Sequence, residues 1–268
     1  MDHPQYLSYS SINLYLTCPE NWRRKYIEKQ LQPSTPALIV GSAFHSTVER
    51  AISANMETGG LGPRLAAIWP NVWSERVEAD GANVEWGADT PEQHFNDGLR
   101  LVSAEPVQKM VDSVRPLVDD DGHFIERKVS IDVTGVPVPI IGYVDIVTAD
   151  GVPGDFKTSS TRWSQDKAES EIQPLFYLAA LHQMGMPSPG NRFRHYVVTK
   201  TKSPDAMVIE HTHSWDEIFW LYELIRQVWR GIEAEIFPTN PNGWLCSSKW
   251  CAYWSQCRGK RWQATGQS

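Results

Sequence analysis

The spacing of hydrophobic residues divides the chain into a helical first part and a strand-rich middle part. Up to about residue 118 the apolar positions recur at the intervals of a helix with one buried face. The helices that this pattern predicts cover residues 12–18, a second stretch through residues 22–26, and residues 41–56, 65–78 and 93–114.

The pattern changes at the acidic run that ends at Gly122. Three segments rich in β-branched residues follow, and the turn pairs Thr134-Gly135 and Asp150-Gly151 separate them, which predicts a three-strand meander. The elements expected from here on are strands at 124–133, 136–147 and 152–158, a helix at 167–184, strands at 193–199 and 207–212, and a helix at 214–237.

This order of elements predicts an α/β fold in which helices flank a small mixed sheet. We expect an N-terminal helical region at 1–118, a core at 119–237 and a C-terminal segment at 238–268 that carries three of the cysteines. Cys18 would join the first region to the last, so that all three form one integrated domain.

Composition narrows the class of protein further. The 268 residues, 41% of them hydrophobic, suit a soluble globular protein with one large core. A net charge of -7 argues against a polycation that coats nucleic acid. No apolar run reaches the roughly 18 residues of a membrane helix, and no secretory signal or ATP-binding loop is visible. The sequence therefore predicts a cytoplasmic protein with no membrane partner.

All four cysteines fall into one arrangement, with Cys18 near the start and Cys246, Cys251 and Cys257 near the end. Reduced cysteines in the cytoplasm bind metal more often than they form disulfides. The spacing lacks the Cys-x2-Cys pairs of most structural zinc sites, and four cysteinates can also hold an iron–sulfur cluster. Zinc, an iron–sulfur cluster and four unconnected buried thiols all remain open on the residues alone, with a shared metal site favoured.

A second candidate site lies in the meander. Strand alternation sends Asp155 and Lys157 to one face and Phe156 to the other, and a hairpin can bring Asp145 beside them. Carboxylates hold hard divalent cations, and a neighbouring lysine can orient or deprotonate a water or stabilise charge on a phosphorane. The same acidic-x-Lys spacing also occurs at Glu126-Arg127-Lys128, so the pattern alone is weak.

An ordered set of motifs strengthens the second site. The motifs are, in order, Gly41-x-x-x-His45-x-x-x-Glu49, Glu126, Gly142-x-x-Asp145, Asp155-x-Lys157 and Gln173-x-x-x-Tyr177. This set resembles the RecB-like branch of the PD-(D/E)xK nucleases. With the four cysteines it resembles their iron–sulfur subset, which includes Cas-four, the AddB nuclease domain and stand-alone phage or prokaryotic exonucleases.

The resemblance implies a PD-(D/E)xK nuclease core and roles for its residues. His45, Asp145 and Asp155 would bind Mg²⁺ or Mn²⁺, with the Phe156 carbonyl as a further ligand. Lys157 would be the catalytic base or charge stabiliser. Gln173 and Tyr177 would position the lysine or the DNA phosphate, and Glu126 would lie at the edge of the site. The four cysteines would hold a structural 4Fe–4S cluster.

Basic residues beside the cysteines suggest a surface for DNA. The residues predicted to contact it are Arg23, Arg24, Lys25, Lys249 and Arg258, with Trp22 and Trp250 as stacking partners. The function expected is metal-dependent hydrolysis of DNA, as an exonuclease on ends or single strands. Two alternatives stay open: a non-catalytic DNA-binding subunit of a recombination or CRISPR adaptation complex, and a zinc-stapled interaction module.

Overall fold

A computed structural model describes residues 3–259 of the chain. The helices in that range are α1 (Tyr9–Thr17), α2 (Pro19–Tyr26), α3 (Pro36–Glu57), α4 (Leu65–Asp80), α5 (Pro91–Val102), α6 (Glu105–Ser113), α7 (Gln165–Glu169), α8 (Gln173–Gln183) and α9 (Trp215–Glu233). The strands are β1 (Leu7–Ser8), β2 (Val118–Asp119), β3 (Gly122–His123), β4 (Ile125–Ile131), β5 (Ile140–Val147), β6 (Pro153–Ser159), β7 (Arg192–Thr199) and β8 (Ala206–Thr212).

The fold is mixed α/β, as the sequence predicts, and it divides into two compact units. A central unit comprises Ser34–Val129 and Tyr143–Ile218. A terminal unit comprises the described residues up to Pro33, Ser130–Gly142 and the described residues from Phe219 onward.

The sheet of the central unit explains how acidic positions on different strands become neighbours. Strand β5 pairs antiparallel with β6, placing Ile146 opposite Gly154, and β4 pairs with β5. These three strands form the predicted meander. Strand β6 then pairs parallel with β7, after α7 and α8 have carried the chain across, and β7 pairs antiparallel with β8. The sheet is therefore mixed, because a parallel pair needs a long crossover whereas an antiparallel pair needs only a turn.

The helices α3 to α6 pack around a core rich in aromatic side chains. Phe44 and Trp69 are fully buried there, together with Phe156 and Tyr196 from the sheet. A Cβ atom at Gly98 would lie 2.0 Å from the Trp69 ring, so α5 can pack against α4 only with glycine at this position. This packing fixes α3 against the face of β6 that carries Phe156.

In the terminal unit, a network of aromatic contacts joins the first helices to the end of α9. The Tyr15 hydroxyl donates a hydrogen bond to the Ile236 carbonyl over 2.7 Å, and the Trp22 and Phe237 rings stack 5.9 Å apart. Strand β1 pairs parallel with the start of β5, placing Leu7 beside Ile140.

Three predicted helices differ from the structure for local backbone reasons. The helix expected at 93–114 is two helices, because Pro106 lacks the N–H that a helix interior needs and lies instead in the first turn of α6. Helix α4, by contrast, keeps Pro70 in its interior. The helix expected at 167–184 also divides, and α8 has Pro174 in its first turn. Helix α9 ends at Glu233 instead of residue 237, because Glu235 adopts a φ of 55° and turns the chain out of the helix.

Candidate active site

Three side chains of the central unit converge on one point. Suitable ligand atoms of His45, Glu126 and Asp145 all lie within 4.8 Å of one another. Each comes from a different element, namely α3, β4 and β5, so only the tertiary fold brings them together. An imidazole and two carboxylates form a donor set that suits a divalent cation.

The second acidic position lies beside this group. Asp155 is 2% exposed, and its Oδ2 atom lies 2.7 Å from Nζ of Lys157. The backbone N–H of Phe156, between them, donates a hydrogen bond of 2.7 Å to Oδ2 of Asp145. The main chain of β6 therefore holds the Asp145 carboxylate next to the Asp155–Lys157 pair.

Helix α8 supplies the partner that orients Lys157. Nζ of Lys157 donates to Oε1 of Gln173 over 2.7 Å. The Gln173 amide then donates to the Tyr177 hydroxyl over 2.9 Å, and that hydroxyl donates to the Tyr143 carbonyl over 2.7 Å. Gln173 and Tyr177 are four residues apart and share one face of α8, so a single helix holds both links. This chain fixes which way the glutamine amide points.

Crowding of carboxylates changes the protonation of this site. Burial, reinforced by the charge of Asp145, raises the pKa of Glu126 to about 7. Burial and the same charge raise the pKa of Asp155 to about 6, although the Lys157 ammonium opposes the change. Carboxyl groups that repel one another in this way fit a cation, since a bound cation would replace the protons that otherwise relieve the repulsion.

The pKa values of the two basic side chains are also raised, which favours their charged forms. Burial alone would lower the pKa of His45, but its hydrogen bond to Asp145 and the charge of that residue outweigh burial and raise it. Nδ1 of His45 lies 3.3 Å from Oδ2 of Asp145. Burial would also lower the pKa of Lys157, but the adjacent Asp155 raises it, which keeps the lysine charged.

Glu126 has an unusual backbone for a strand residue, with a φ of 48°. A non-glycine residue in this left-handed region carries a cost that the surrounding structure must offset, and such residues concentrate at functional sites. The order of the motifs predicts Glu126 at the edge of the site, and the structure places its side chain inside the three-residue group. The acidic-x-Lys pattern at Glu126 does not by itself indicate this position, because it looks like a chance repeat.

All four cysteines line one pocket of the terminal unit and none forms a disulfide. Cys18 ends α1 and precedes α2, and the Sγ atom of Cys251 accepts a hydrogen bond of 3.4 Å from the Asn21 amide. Burial raises the pKa of the Cys257 thiol, and the nearby Arg24 guanidinium opposes that change. The sequence analysis did not identify Asn21 as a pocket residue, since a lone asparagine carries no distinctive signal.

The basic residues near the cysteines separate into two groups. Arg23 and Arg24 both form ion pairs with Glu20, and Arg24 is 9% exposed and lines the cysteine pocket. Lys25 and Lys249 are exposed, and Nζ of Lys249 lies 4.6 Å from the centre of the Trp250 ring. The side chain of Arg258 lies outside what the structure describes.

One expected stacking partner is not accessible. Trp22 is fully buried, so its ring cannot stack on a nucleic-acid base, and that expectation is wrong. Trp244 and Trp250 are 71% and 55% exposed, with ring centres 6.5 Å apart, so they remain open to such contacts.

Comparison with protein families identifies the fold and the class of site. The family model described as the PD-(D/E)XK nuclease superfamily matches residues 6–258, nearly the whole chain. The chain therefore belongs to the PD-(D/E)XK nuclease superfamily, whose members are phosphodiester hydrolases that use divalent metals. No curated protein sequence matches the chain.

Two solved structures are similar to the chain. A Eubacterium rectale protein named "Putative exonuclease" superimposes with a TM-score of 0.60 at 16% identity, over 95% of this chain and 88% of that chain. This likeness shows a shared fold. The structure of SSO0001 is 15% identical over 94% of this chain and 93% of that chain, with a TM-score of 0.33, which is too low to carry an argument. In the described part of the chain, no helix is long and apolar enough to cross a membrane.

Proposed function

We propose that this protein is a metal-dependent deoxyribonuclease that acts as an exonuclease on DNA ends or single strands. The observation that carries the proposal is the convergence of His45, Glu126 and Asp145 beside the Asp155–Lys157 pair. Membership of a nuclease superfamily supports the reaction class.

The residues of the site divide into cation ligands and positioning groups. His45, Glu126, Asp145 and Asp155 would hold Mg²⁺ or Mn²⁺, with the Phe156 carbonyl as a further oxygen ligand. The bound cation would supply a Lewis acid that stabilises charge on the phosphate during attack by water.

Lys157 would act as a positively charged ammonium group that stabilises negative charge on the phosphate. Its raised pKa favours the ammonium form, which favours charge stabilisation over proton abstraction. The Gln173 carbonyl holds the ammonium in place, and the hydrogen bond from Gln173 to Tyr177 keeps that carbonyl pointed at the lysine. Preorganised donors of this kind contribute more to a transition state than mobile ones do.

The four cysteines are proposed to hold a structural 4Fe–4S cluster. All four side chains line one pocket, which suits a single shared group better than four unconnected thiols. Arg24 also lines this pocket, where its guanidinium forms an ion pair with Glu20, a further lining residue. Zinc is the competing occupant, and metal analysis separates the two.

The proposed preference for ends or single strands rests on the sequence, which contains no ATP-binding loop of the kind that a helicase uses to separate the strands of a duplex. A single strand could stack on exposed aromatic rings such as Trp250 while lysines follow its phosphates. Lys25 and Lys249 are the exposed members of the predicted DNA-binding set, and Arg23 contributes less because Glu20 neutralises it.

The test measures cleavage of linear and of covalently closed circular DNA, each with and without Mn²⁺. We expect linear single-stranded DNA to be degraded faster than blunt duplex, and a covalently closed single-stranded circle to resist. Rapid cutting of the circle would show an endonuclease. Absence of any cleavage by anaerobically purified, Mn²⁺-loaded protein would favour the non-catalytic DNA-binding subunit, whose partners would be recombination or CRISPR adaptation proteins.

A further inference from the structure

A second polar pocket of the central unit takes no part in the site described above. It lies where α3, α5 and the turn between β7 and β8 meet, and its volume is about 180 Å³. One buried water needs only about 10–15 Å³ of such volume, so the pocket has room for a phosphate group and its waters. Its polar lining consists of His94, Asp97, Arg100, Lys200 and Thr201, and Ala37, Val40, Leu101 and Pro204 complete the wall.

The charges of this pocket favour an anion. Arg100 forms a close ion pair with Asp97, which neutralises the only carboxylate among the lining residues. A guanidinium has five N–H donors, so donors remain for a further acceptor. Lys200 is exposed, and among residues 3–259 its ammonium forms no ion pair. Nε2 of His94 lies 3.5 Å from Oδ2 of Asp89, and His94 lines the pocket as a further polar group.

Two independent elements place this pocket about 10 Å from the candidate cation site. Lys157 pairs with Val197, and Lys200 follows three residues later, which is about 10 Å along a strand. On α3, Val40 and Ala37 precede His45 by five and eight residues, which is about 7–12 Å along a helix. A single nucleic-acid strand with one phosphate at the cation site could therefore place a neighbouring backbone phosphate in this pocket.

A row of small side chains leads from the pocket to the cation site. Ala37, Gly41 and His45 are four residues apart and therefore share one face of α3. A Cβ atom added at Gly41 would have no neighbour within 4 Å, so the space over this part of the helix is open. Close packing therefore does not explain the glycine, whereas a strand passing over the helix would.

We infer that this pocket is a phosphate subsite for the DNA strand whose scissile phosphate occupies the cation site. Arg100 and Lys200 bind a neighbouring backbone phosphate of the same strand, and the strand passes over Gly41 between the two sites. This inference rests on the proposed nuclease function and adds the path of the substrate. The subsite positions the strand and contributes no group to the chemistry.

The experiment measures binding and cleavage separately. Binding of a fluorescent oligothymidylate of about twelve nucleotides, a length that single-strand sites cover, is followed by anisotropy in EDTA over a range of salt concentrations. Hydrolysis of bis(p-nitrophenyl) phosphate with Mn²⁺ then reports the chemistry at the cation site alone, because this diester is too small to reach the pocket.

We expect Lys200→Ala and Arg100→Ala each to weaken oligothymidylate binding by about three- to tenfold and to reduce the salt slope by about 0.7, the value for one contact to a single strand. The ratio of oligonucleotide cleavage to diester hydrolysis should fall by a similar factor. Gly41→Leu should fold, since a Cβ atom at this position has no neighbour within 4 Å and leucine favours helix, yet it should also lower this ratio.

Lys202→Ala is the matched control, because Lys202 is an exposed lysine of the same turn that does not line the pocket. Equal weakening by Lys202→Ala and Lys200→Ala would overturn the subsite, as would an unchanged salt slope in Lys200→Ala. If the protein is not a nuclease, neither the parent nor any variant will hydrolyse the diester. The binding measurements would still show whether Lys200 and Arg100 form the subsite.

Discussion

The Nζ atom of Lys157 donates a hydrogen bond to Oε1 of Gln173 across 2.7 Å, so a strand and a helix hold one ammonium group between them. On its other side the same ammonium lies 2.7 Å from Asp155. A lysine side chain has four rotatable bonds and loses much entropy when it is fixed. The contacts of Nζ with Gln173 and Asp155 offset that loss of entropy and fix the position of the ammonium charge.

Removal of either member of the Asp155–Lys157 pair should stop cleavage. We expect Asp155→Ala and Lys157→Ala each to lower the rate by about 10²- to 10⁴-fold, the range for a positioned catalytic group. Circular dichroism should match that of the parent protein. Lys109→Ala is the control, because this lysine is exposed and, within the described part of the chain, its one ion pair is with Glu105. Retained cleavage by metal-loaded Asp155→Ala would contradict the assignment.

The Gln173–Tyr177 link should matter for rate more than for substrate binding. Tyr177→Phe removes the hydroxyl that donates to the Tyr143 carbonyl and accepts from Gln173. We expect a loss of about 1–3 kcal/mol in the free energy of unfolding, because the Tyr143 carbonyl and the Gln173 amide each lose a hydrogen-bond partner in a partly buried site. The cleavage rate should fall by about 10- to 100-fold, since the lysine is no longer fixed.

Gln173→Ala should lower the rate more than Tyr177→Phe does, because it removes the direct contact to Lys157. Gln173→Glu should keep the acceptor and retain more activity than Gln173→Ala. If all three variants cleave like the parent in single-turnover assays, the link has no part in catalysis.

His45 should be a cation ligand and not merely a buried histidine. We expect His45→Ala to weaken Mn²⁺ binding, measured by calorimetry, by at least about 10- to 100-fold, because even outer partners of metal ligands have effects of that size. His182→Ala provides the comparison, since His182 is an exposed histidine on α8 outside this site. Unchanged Mn²⁺ affinity in His45→Ala would remove His45 from the ligand set.

The stability of metal-free protein should fall as pH rises through about 6 to 7. The folded-state pKa values of Asp155 and Glu126 are raised to about 6 and about 7, so these acids bind more protons in the folded state than in the unfolded state. Stability from this source is fully present below their unfolded pKa values and is lost as pH rises through the folded ones. Melting temperatures in EDTA at a series of pH values measure the loss.

Mn²⁺ should reverse this pH dependence. Cation binding requires the deprotonated carboxylates, so Mn²⁺ affinity should rise with pH across the same range. The variant Glu126→Gln should flatten the melting profile of the metal-free protein near pH 7. A profile identical to that of the parent would show that Glu126 does not titrate in this range.

Protein purified without oxygen should be brown and contain about four irons per chain, as one cubane cluster requires. Cys18→Ser should lose colour, iron and thermal stability together, because Cys18 is the single cysteine of the N-terminal helices that reaches the pocket. Thr17→Ser, one residue away, should keep all three. Stoichiometric zinc without visible absorption would refute the cluster and leave the four-cysteine site intact.

The sequence by itself determined the elements and most of the candidate chemistry. Alternation along β6 sends Asp155 and Lys157 to one face, and the turn at Asp150-Gly151 returns β5 and β6 as a hairpin, so both features are local and readable from residue order. Pro106 and Pro174 lie in the first turns of α6 and α8 for an equally local reason, although the helices predicted at 93–114 and 167–184 continued through both prolines. The order of the motifs indicated the family before any distance was known.

Only the tertiary structure decided which of these residues meet. Glu126 joins His45 and Asp145 because β4, α3 and β5 pack together, and the left-handed backbone at Glu126 has no signature in its residue type. Trp22 could not be separated from Trp250 as an exposed aromatic, since burial depends on segments over two hundred residues away, such as Phe237. Local patterns fix local geometry, whereas burial and convergence arise from long-range packing that no single window of sequence contains.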